Sequence, residues 1–276
     1  MAKRNRSTTA VKIEKWIKEG RGTGEGADYK PWLTIRDVPS RGIATRNKGW
    51  KTKRIHQLMS KLELNYLYTL EWSDAVIDIR EQYPLLPLER TLEIADDFGI
   101  KHPTDPQTNE ETVMTTDFLI TIATSNGLAL RARTIKPSSD LNKRTIEKFA
   151  IEQQFYKEQD IDWGIVTEKD KSEQFIRNID FLYNARYIEN IPGVTEERLK
   201  SISSWLLLEI TNSSDPLSVV ALNCDERLGY KLGTCLFIVK YMIANKNWLI
   251  NIYEEIDPLK KIDIKPRGDK NEQHIR

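Results

Sequence analysis

TDFLITIATSNGLALRARTIKP, residues Thr116 to Pro137, is the stretch on which the fold turns. Two apolar or alternating runs, Thr116 to Ala123 and Leu128 to Lys136, flank Ser125-Asn126-Gly127. Asn-Gly between such runs is the strongest short hairpin signal a sequence carries, because both residues tolerate the left-handed backbone of a two-residue loop. With Asn126 and Gly127 as the loop, Ser125 pairs with Leu128, Leu119 faces Thr134, and Asp117 faces Lys136. Carboxylate and ammonium then share one face of the hairpin, their Cβ atoms about 5 Å apart. Such a pair serves equally as an ordinary cross-strand ion pair or as part of a reacting site.

Working outward, a strand is expected at Ala75 to Arg80 and a looser one near Leu92 to Ile94. Pro137 ends the hairpin, a helix follows from about Lys143 to Gln159, and Trp163 to Thr167 reads as a buried strand. Ahead of these, Ile55, Leu58, Met59, Leu62, Tyr66, Leu67 and Leu70 recur at three and four, which predicts a helix from Arg54 to Leu70. At about 100° per residue, Glu63 points between Leu67 and Leu70 on the flank of the buried face. A carboxylate there needs a cation or a donor beside it, whether that partner is a structural Lys or Arg or something functional. Helix, strands, hairpin, helix and strand in this order predict a mixed α/β layer arrangement.

The first segment, about Thr9 to Glu19, reads as a short amphipathic helix with Val11, Ile13, Trp16 and Ile17 on its apolar side. The glycine-rich EGRGTGEGADYKPWLT, Glu19 to Thr34, follows no strand and carries Pro31 where a helix should begin, so it fails both nucleotide-binding fingerprints. It is expected to be an open loop whose Arg21 and Lys30 lie on a backbone or a neighbouring subunit.

At 276 residues the chain is long enough for two domains. No apolar run approaches the roughly 18 residues of a membrane span, and the basic start leads into no apolar signal region. Two cysteines and three histidines cannot build a disulfide framework or a dedicated zinc site, so a reducing cytoplasm is expected. The net charge of +1 conceals a strong asymmetry. Residues 1–60 hold 15 Lys and Arg against 5 Asp and Glu, and residues 61–120 hold 4 against 13. A basic arm before an acidic segment suits a protein that grips phosphates with one part and gathers cations with the other, and it also suits two merely solvated surfaces.

Texture changes near Lys169 to Ser172, where a domain boundary is expected. Beyond it helices are predicted at Glu173 to Asn184, Glu196 to Ile210, Pro216 to Leu228 and Lys231 to Ala244, with short strands at Trp248 to Tyr253 and Lys260 to Ile264. Helices closed by a two-stranded ribbon resemble a winged helix, but the last helix is too apolar to read bases and points to protein contact. The polar tail from Lys265 is expected to be disordered.

Two carboxylates, a lysine and a magnesium ion suffice for phosphodiester hydrolysis: the ion is held by one or two carboxylates, waters and substrate phosphate, and the lysine orients a water or neutralises the phosphate. Glu63, Asp117 and Lys136 supply these parts. An acidic residue on one strand, x-Lys ending the next and an upstream helical Glu resemble the restriction-endonuclease-like nuclease core. The text around them, KTKRIHQLMSKLELNYLYTLEW (Lys51 to Trp72), DIREQYPLLP (Asp78 to Pro87), GIKHP (Gly99 to Pro103), MTTDFLI (Met114 to Ile120) and IKP (Ile135 to Pro137), resembles the TnsA family from about Glu19 to Thr167. These are the endonuclease subunits of heteromeric cut-and-paste transposases.

That resemblance implies a restriction-endonuclease-like mixed sheet flanked by helices in residues 1–170, a winged-helix-like partner-binding domain in 171–264 and a polar tail in 265–276. It implies a metal-dependent DNA endonuclease that nicks the non-transferred strands at the 5′ ends of a transposon. Glu63, Asp117 and Lys136 would be catalytic, with Glu63, Asp117, the Thr134 side chain and the Ile135 carbonyl around Mg2+, two ions per site, replaceable by Mn2+. Thr134 departs from the family, which carries Gln there, and a neutral hydroxyl is a poor ligand for a hard cation. Arg131 and Arg133 could compensate by holding phosphate. Glu152 matches a family acidic position. Arg41, Arg46, Lys48, Lys51, Lys53 and Arg54 are expected along the DNA backbone. Implied partners are transposon-end DNA, an integrase-type TnsB-like transposase and a TnsC-like ATPase regulator, in a bacterial cytoplasm. The rival readings are a non-catalytic DNA-bridging subunit and a free-standing restriction or repair endonuclease.

Overall fold

A computed structural model of the chain describes residues 8–38, 44–191 and 193–267. They pack as two units, Met1–Lys171 and Ser172–Arg276. The first unit opens with helix α1 (Ala10–Lys18), whose start is fixed by the Thr9 side chain accepting from the Lys12 amide. A two-stranded ribbon, β1 (Thr45–Lys48) and β2 (Ile55–Leu58), leads into α2 (Lys61–Trp72). Then come β3 (Val76–Pro84), α3 (Leu88–Asp97), β4 (Thr115–Thr124), β5 (Gly127–Ile135), α4 (Lys143–Lys157) and β6 (Asp162–Val166).

The main sheet has the order β3-β4-β5-β6, antiparallel except for the parallel pair β5 and β6. A parallel pair cannot be closed by a tight turn, and α4 is the crossover that joins it. One face of the sheet buries Ile79, Phe118, Ile120 and Ile135 against Leu67 and Leu70 of α2. The other buries Leu119 and Ala132 against Ile94 and Ala95 of α3 and Ile151, Phe155 and Tyr156 of α4. This is the mixed sheet flanked by helices that the sequence predicts.

Local readings change in four places. The helix expected from Arg54 begins only at Lys61, because Ile55 to Leu58 form β2, in which His56 and Leu58 point inward at period two. Over so short a run the two periodicities overlap, and the Ser60 N-cap decides where the helix starts. Residues Leu92 to Ile94 belong to a helix, α3, whose buried Thr91, Ile94 and Ala95 follow helical spacing. The hairpin loop is Ser125-Asn126, since Thr124 pairs with Gly127. Asn126 does not adopt the positive φ that an Asn-Gly loop demands; the left-handed position is Gly127, at φ 111°, and Thr124 Oγ1 caps the turn by accepting from the Asn126 amide at 3.2 Å. Lastly, the glycine-rich segment is closed. Gly22 and Lys30 bond across it at 2.6 Å, and Arg21 stacks on Trp16 while binding the Trp32 carbonyl and Asp37, both at 2.9 Å.

The second unit is helical: α5 (Glu173–Tyr183), α6 (Glu196–Asn212), α7 (Leu217–Leu228) and α8 (Thr234–Ala244). Buried Asp225 caps α8, accepting from the amides of Gly233 at 2.6 Å and Cys235 at 2.7 Å. Asn178 of α5 clamps the following loop through the carbonyls of Ile252 and Glu254 and the amide of Ile256. The expected ribbon shrinks to β7 (Trp248–Leu249) and β8 (Lys265–Pro266), so the first residues of the expected tail are paired; those from 268 lie outside the described residues. Among the described residues no helix is long and apolar enough to cross a membrane.

Between β1 and β2 the chain must pass close to α2, and Gly49 permits it. A Cβ there would meet His56 Nε2 and Thr52 Oγ1 at 2.6 Å and Glu71 Oε1 at 2.9 Å. Gly49→Ala is expected to destabilise the protein by about 1–3 kcal/mol through overpacking, measured by urea unfolding.

Candidate active site

Glu63 is held by the start of α2. The Ser60 hydroxyl accepts from the Glu63 amide at 3.1 Å and donates to Glu63 Oε1 at 2.8 Å, while the Met59 amide donates to Oε2 at 2.8 Å. This is half of a capping box: the Ser60 side chain caps the Glu63 amide, while the Glu63 carboxylate returns to the cap hydroxyl and the preceding Met59 amide rather than to the Ser60 amide. The spacing Ser60-x-x-Glu63 is legible in the sequence. It identifies Glu63 as an anchored group, a signal that reading the helix from Arg54 passes over.

Asp117 sits where the sheet turns over. Residues two apart in a strand share a face, yet Phe118 packs toward α2 while Thr116 donates to Glu152 of α4 at 2.5 Å. On β3, likewise, Ile79 faces α2 and Tyr83 packs with the α4 cluster. The reversal falls at Gln82, whose φ of 49° is left-handed, and at Asp117 opposite it, between the pairs Glu81 with Phe118 and Tyr83 with Thr116. Beyond Phe118 and Arg133 the ladder between β4 and β5 ends, and the Asp117 carboxylate enters the gap to accept from the Ile135 amide at 2.6 Å. The buried Gln82 amide nitrogen lies 3.4 Å from both Glu63 Oε2 and Asp117 Oδ1. Two carboxylates from distant segments thus converge on one neutral donor.

Continuing the observed register, Asp117 comes level with Thr134 rather than Lys136. The displacement is two residues, so face parity survives, and the half-buried Lys136 still lies close enough to lower the pKa of Asp117. Lys136 is anchored by its amide donating to the Val166 carbonyl at 3.0 Å. Thr134, expected among the metal ligands, instead donates its hydroxyl to Glu152 Oε1 beneath the sheet. In a regular strand the N–H and C=O of one residue point to the same edge, so Ile135 turns its carbonyl toward the Asp117 side. Of the compensating arginines, Arg133 is bound to Asp162 at 2.6 Å.

The basic arm divides. Arg46, Lys48 and Lys53 are exposed on the ribbon and its turn, and Lys51 is half-buried. Arg41 lies outside the described residues. Arg54 is corrected by the structure: its side chain is buried, forks onto Glu81, binds the carbonyls of Ile79 and Gly26, and lies over the Tyr29 ring. A guanidinium so occupied holds the fold and leaves no fork for a phosphate. The ribbon loop is tied to α2 by Glu71, which accepts from the amides of Trp50 at 3.0 Å and Lys51 at 2.9 Å.

Comparison with known proteins agrees with this architecture. Residues 73–168 match the family described as TnsA-like endonuclease N terminal, and residues 172–252 match TnsA endonuclease C terminal. The transposon Tn7 transposition protein TnsA of Escherichia coli is 37% identical over 265 residues, covering 96% of this chain and 94% of that protein. The chain belongs to the TnsA endonuclease family.

Whether a cation fits this TnsA-type site is decided by its charges. Burial first, and then the charge of Asp117, push Glu63 up to about 8 against the opposing Met59 and Ser60 bonds. Burial pushes Asp117 up to about 6, opposed by the Ile135 amide, Lys136 and Gln82. Glu152 below is raised by burial to about 7. Two facing carboxylates that resist ionising together are a donor set lacking positive charge, and a hard divalent ion bound by oxygen supplies it. Among the described residues no group of three or more Asp, Glu, His or Cys side chains is placed to hold a metal ion.

Because both native pKa values lie above those of the unfolded chain, ionisation costs native stability, and the cost grows as pH rises. In chelator the melting temperature is expected to fall from about pH 5 to pH 8, with millimolar Mg2+ flattening the decline. Glu63→Gln should remove about half of the slope in a calorimetric scan, Asp117 and Glu152 supplying the rest, and a wild-type profile without slope would contradict this account. Ser60→Ala is expected to cost about 1 kcal/mol in stability by loss of the cap, measured by urea unfolding.

Proposed function

We propose that this TnsA-family DNA endonuclease is a magnesium-dependent enzyme that nicks the non-transferred strands at the 5′ ends of a transposon during cut-and-paste excision. The observation that carries the reading is the convergence of Glu63 and Asp117 beside Lys136, in the gap between two strands. Glu63, Asp117 and the Ile135 carbonyl would hold Mg2+, with Mn2+ able to substitute and a second ion completed by substrate. When bound, such an ion acidifies a water and stabilises charge on phosphate oxygens.

The remaining tasks fall to side chains. Glu63 and Asp117, fixed by the helix cap and the Ile135 amide, would hold the ion and orient a water, one carboxylate oxygen taking the water's proton as its oxygen bonds to phosphorus; the bond from phosphorus to the departing sugar oxygen breaks, and solvent water protonates that oxygen. Lys136 Nζ donates to a non-bridging phosphate oxygen or to the attacking water, stabilising charge as it develops. The packing of α4 under the sheet excludes bulk solvent from below. Arg46, Lys48, Lys51 and Lys53 lead the DNA backbone toward α2, their loop tethered by Glu71; these contacts are electrostatic and choose no sequence.

Residues 1–170 are assigned to catalysis and 171–264 to partner contact. Implied partners are transposon-end DNA, a TnsB-like integrase-type transposase that joins the 3′ ends, and a TnsC-like ATPase regulator, in a bacterial cytoplasm. The Escherichia coli relative is named as a transposition protein, which supports the transposase setting over a free-standing nuclease. The rival bridging subunit draws support from Thr134, whose hydroxyl is turned away from Asp117.

With partner transposase, Mg2+ and labelled element-end DNA, Lys136→Ala is expected to lower strand-mapped nicking at least about 100-fold while leaving DNA affinity near wild type. Equal nicking would remove Lys136 from the mechanism, and no nicking by wild type would favour the bridging role. Replacing Arg46, Lys48 and Lys53 together should flatten the salt dependence of DNA binding by about 0.9 unit per lost phosphate contact, read from log K against log salt.

A further inference from the structure

Gln82 occupies a position that its own backbone does not favour. At φ 49° it lies in the left-handed region, where glycine is the default residue and a side chain is retained only when the surroundings demand it. Its main chain is used normally, the carbonyl accepting from the Trp32 amide at 3.1 Å. What distinguishes it is the side chain, 3% exposed, whose nitrogen is 3.4 Å from Glu63 Oε2 and 3.4 Å from Asp117 Oδ1. The amide must turn its NH2 group this way, because its carbonyl would otherwise face two carboxylates. An amide carries two N–H donors and no charge, so it can bond both acids without neutralising either. An Arg or Lys there would compete with a cation, and an apolar residue would leave the two acids with no donor between them.

We propose that Gln82 is a positioning residue for the metal site, its side-chain amide holding Glu63 and Asp117 in facing positions so that a divalent cation meets a preformed pair. This rests on the metal-dependent reading above. It adds a group from β3, a strand to which neither the spacing of Asp117 and Lys136 nor the helix cap assigns any chemistry. The left-handed backbone turns β3 over opposite Asp117, and the side chain uses that turn to reach both ligands.

The test separates backbone from amide. Gln82→Gly keeps the left-handed conformation at lower steric cost but removes the amide. Gln82→Asn also tolerates the conformation, yet is one methylene too short to span both acids. Full-length wild type, both variants and Asp117→Ala are titrated calorimetrically with Mn2+ alone, and their melting temperatures are measured in chelator at pH 5. The expected result is that Gln82→Gly and Gln82→Asn melt close to wild type at pH 5. Both should bind Mn2+ about tenfold or more weakly, as losses of ligand-orienting partners do. A folded Gln82→Gly that binds Mn2+ as tightly as wild type, while Asp117→Ala does not, would overturn the role of Gln82 alone. Equal Mn2+ binding by wild type and Asp117→Ala would overturn the metal reading, and the proposal for Gln82 with it.

Discussion

Two acids that repel one another are held within reach of a single amide, and the first unit is organised around keeping them there. Left to electrostatics Glu63 and Asp117 would separate or stay protonated: burial raises the pKa of both, and the charge of Asp117 raises that of Glu63 further. Each is fixed by backbone donors that the fold cannot easily withdraw: the Met59 amide before α2 for one, the Ile135 amide at the end of β5 for the other. Rigid elements thus set the separation, which is what a preorganised cation site requires. On the proposed metal-dependent reading, a cation would relieve that repulsion, so the geometry that weakens the metal-free protein would favour the loaded one.

Around this pair lies a second, fully compensated charge network. Glu81 is buried yet pulled down to about 2, because His56 and Arg54 surround it. His56 Nδ1 lies 2.7 Å from Glu81, and Arg54 grips the same carboxylate. The two acids differ in their partners: Glu81 is paired with the Arg54 guanidinium and bonded to His56, whereas Glu63 nearby is bonded by the neutral donors of Met59, Ser60 and Gln82. Burial alone does not distinguish the two acids; their partners do. The capture of Arg54 by this network explains why a residue embedded in a basic run is withdrawn from solvent, while Arg46 and Lys48, alternating outward on β1, are exposed.

How far the sequence could be read follows from the range of each signal. Alternation and apolar runs predict the hairpin strands, α4 and β6 to within two residues, because burial on one face is recorded at short range. The register slipped because Asn-Gly admits two turn geometries, and the Thr124 side chain selects the one with glycine last. Helix α3 was hidden by a pattern whose buried positions include Thr91, a polar residue that bonds Leu88 and His102. Glu63 and Asp117 are legible as candidates, since an acid on a buried flank is costly. Gln82 is not, because its role depends on a backbone reversal and on two side chains distant in sequence, and no periodicity encodes either.

Thr134 shows how a departure from a family pattern changes meaning once the layer beneath it is visible. As a ligand, a hydroxyl is a poor substitute for an acid or an amide, and the substitution looks like a loss. In the structure it is a donor: together with Thr116 it satisfies Glu152, a carboxylate 2% exposed whose ionisation is opposed by burial and by the charge of Asp117. An acid at 134 would set another negative group against Glu152 and Asp117, in a space where two already resist ionising together. Threonine permits Glu152 to remain under the site while the upper pair keeps its geometry. In the proposed site the ligands would then be the upper pair, the strand-end main chain and whatever the substrate brings, with Glu152 acting on them through its field rather than by contact.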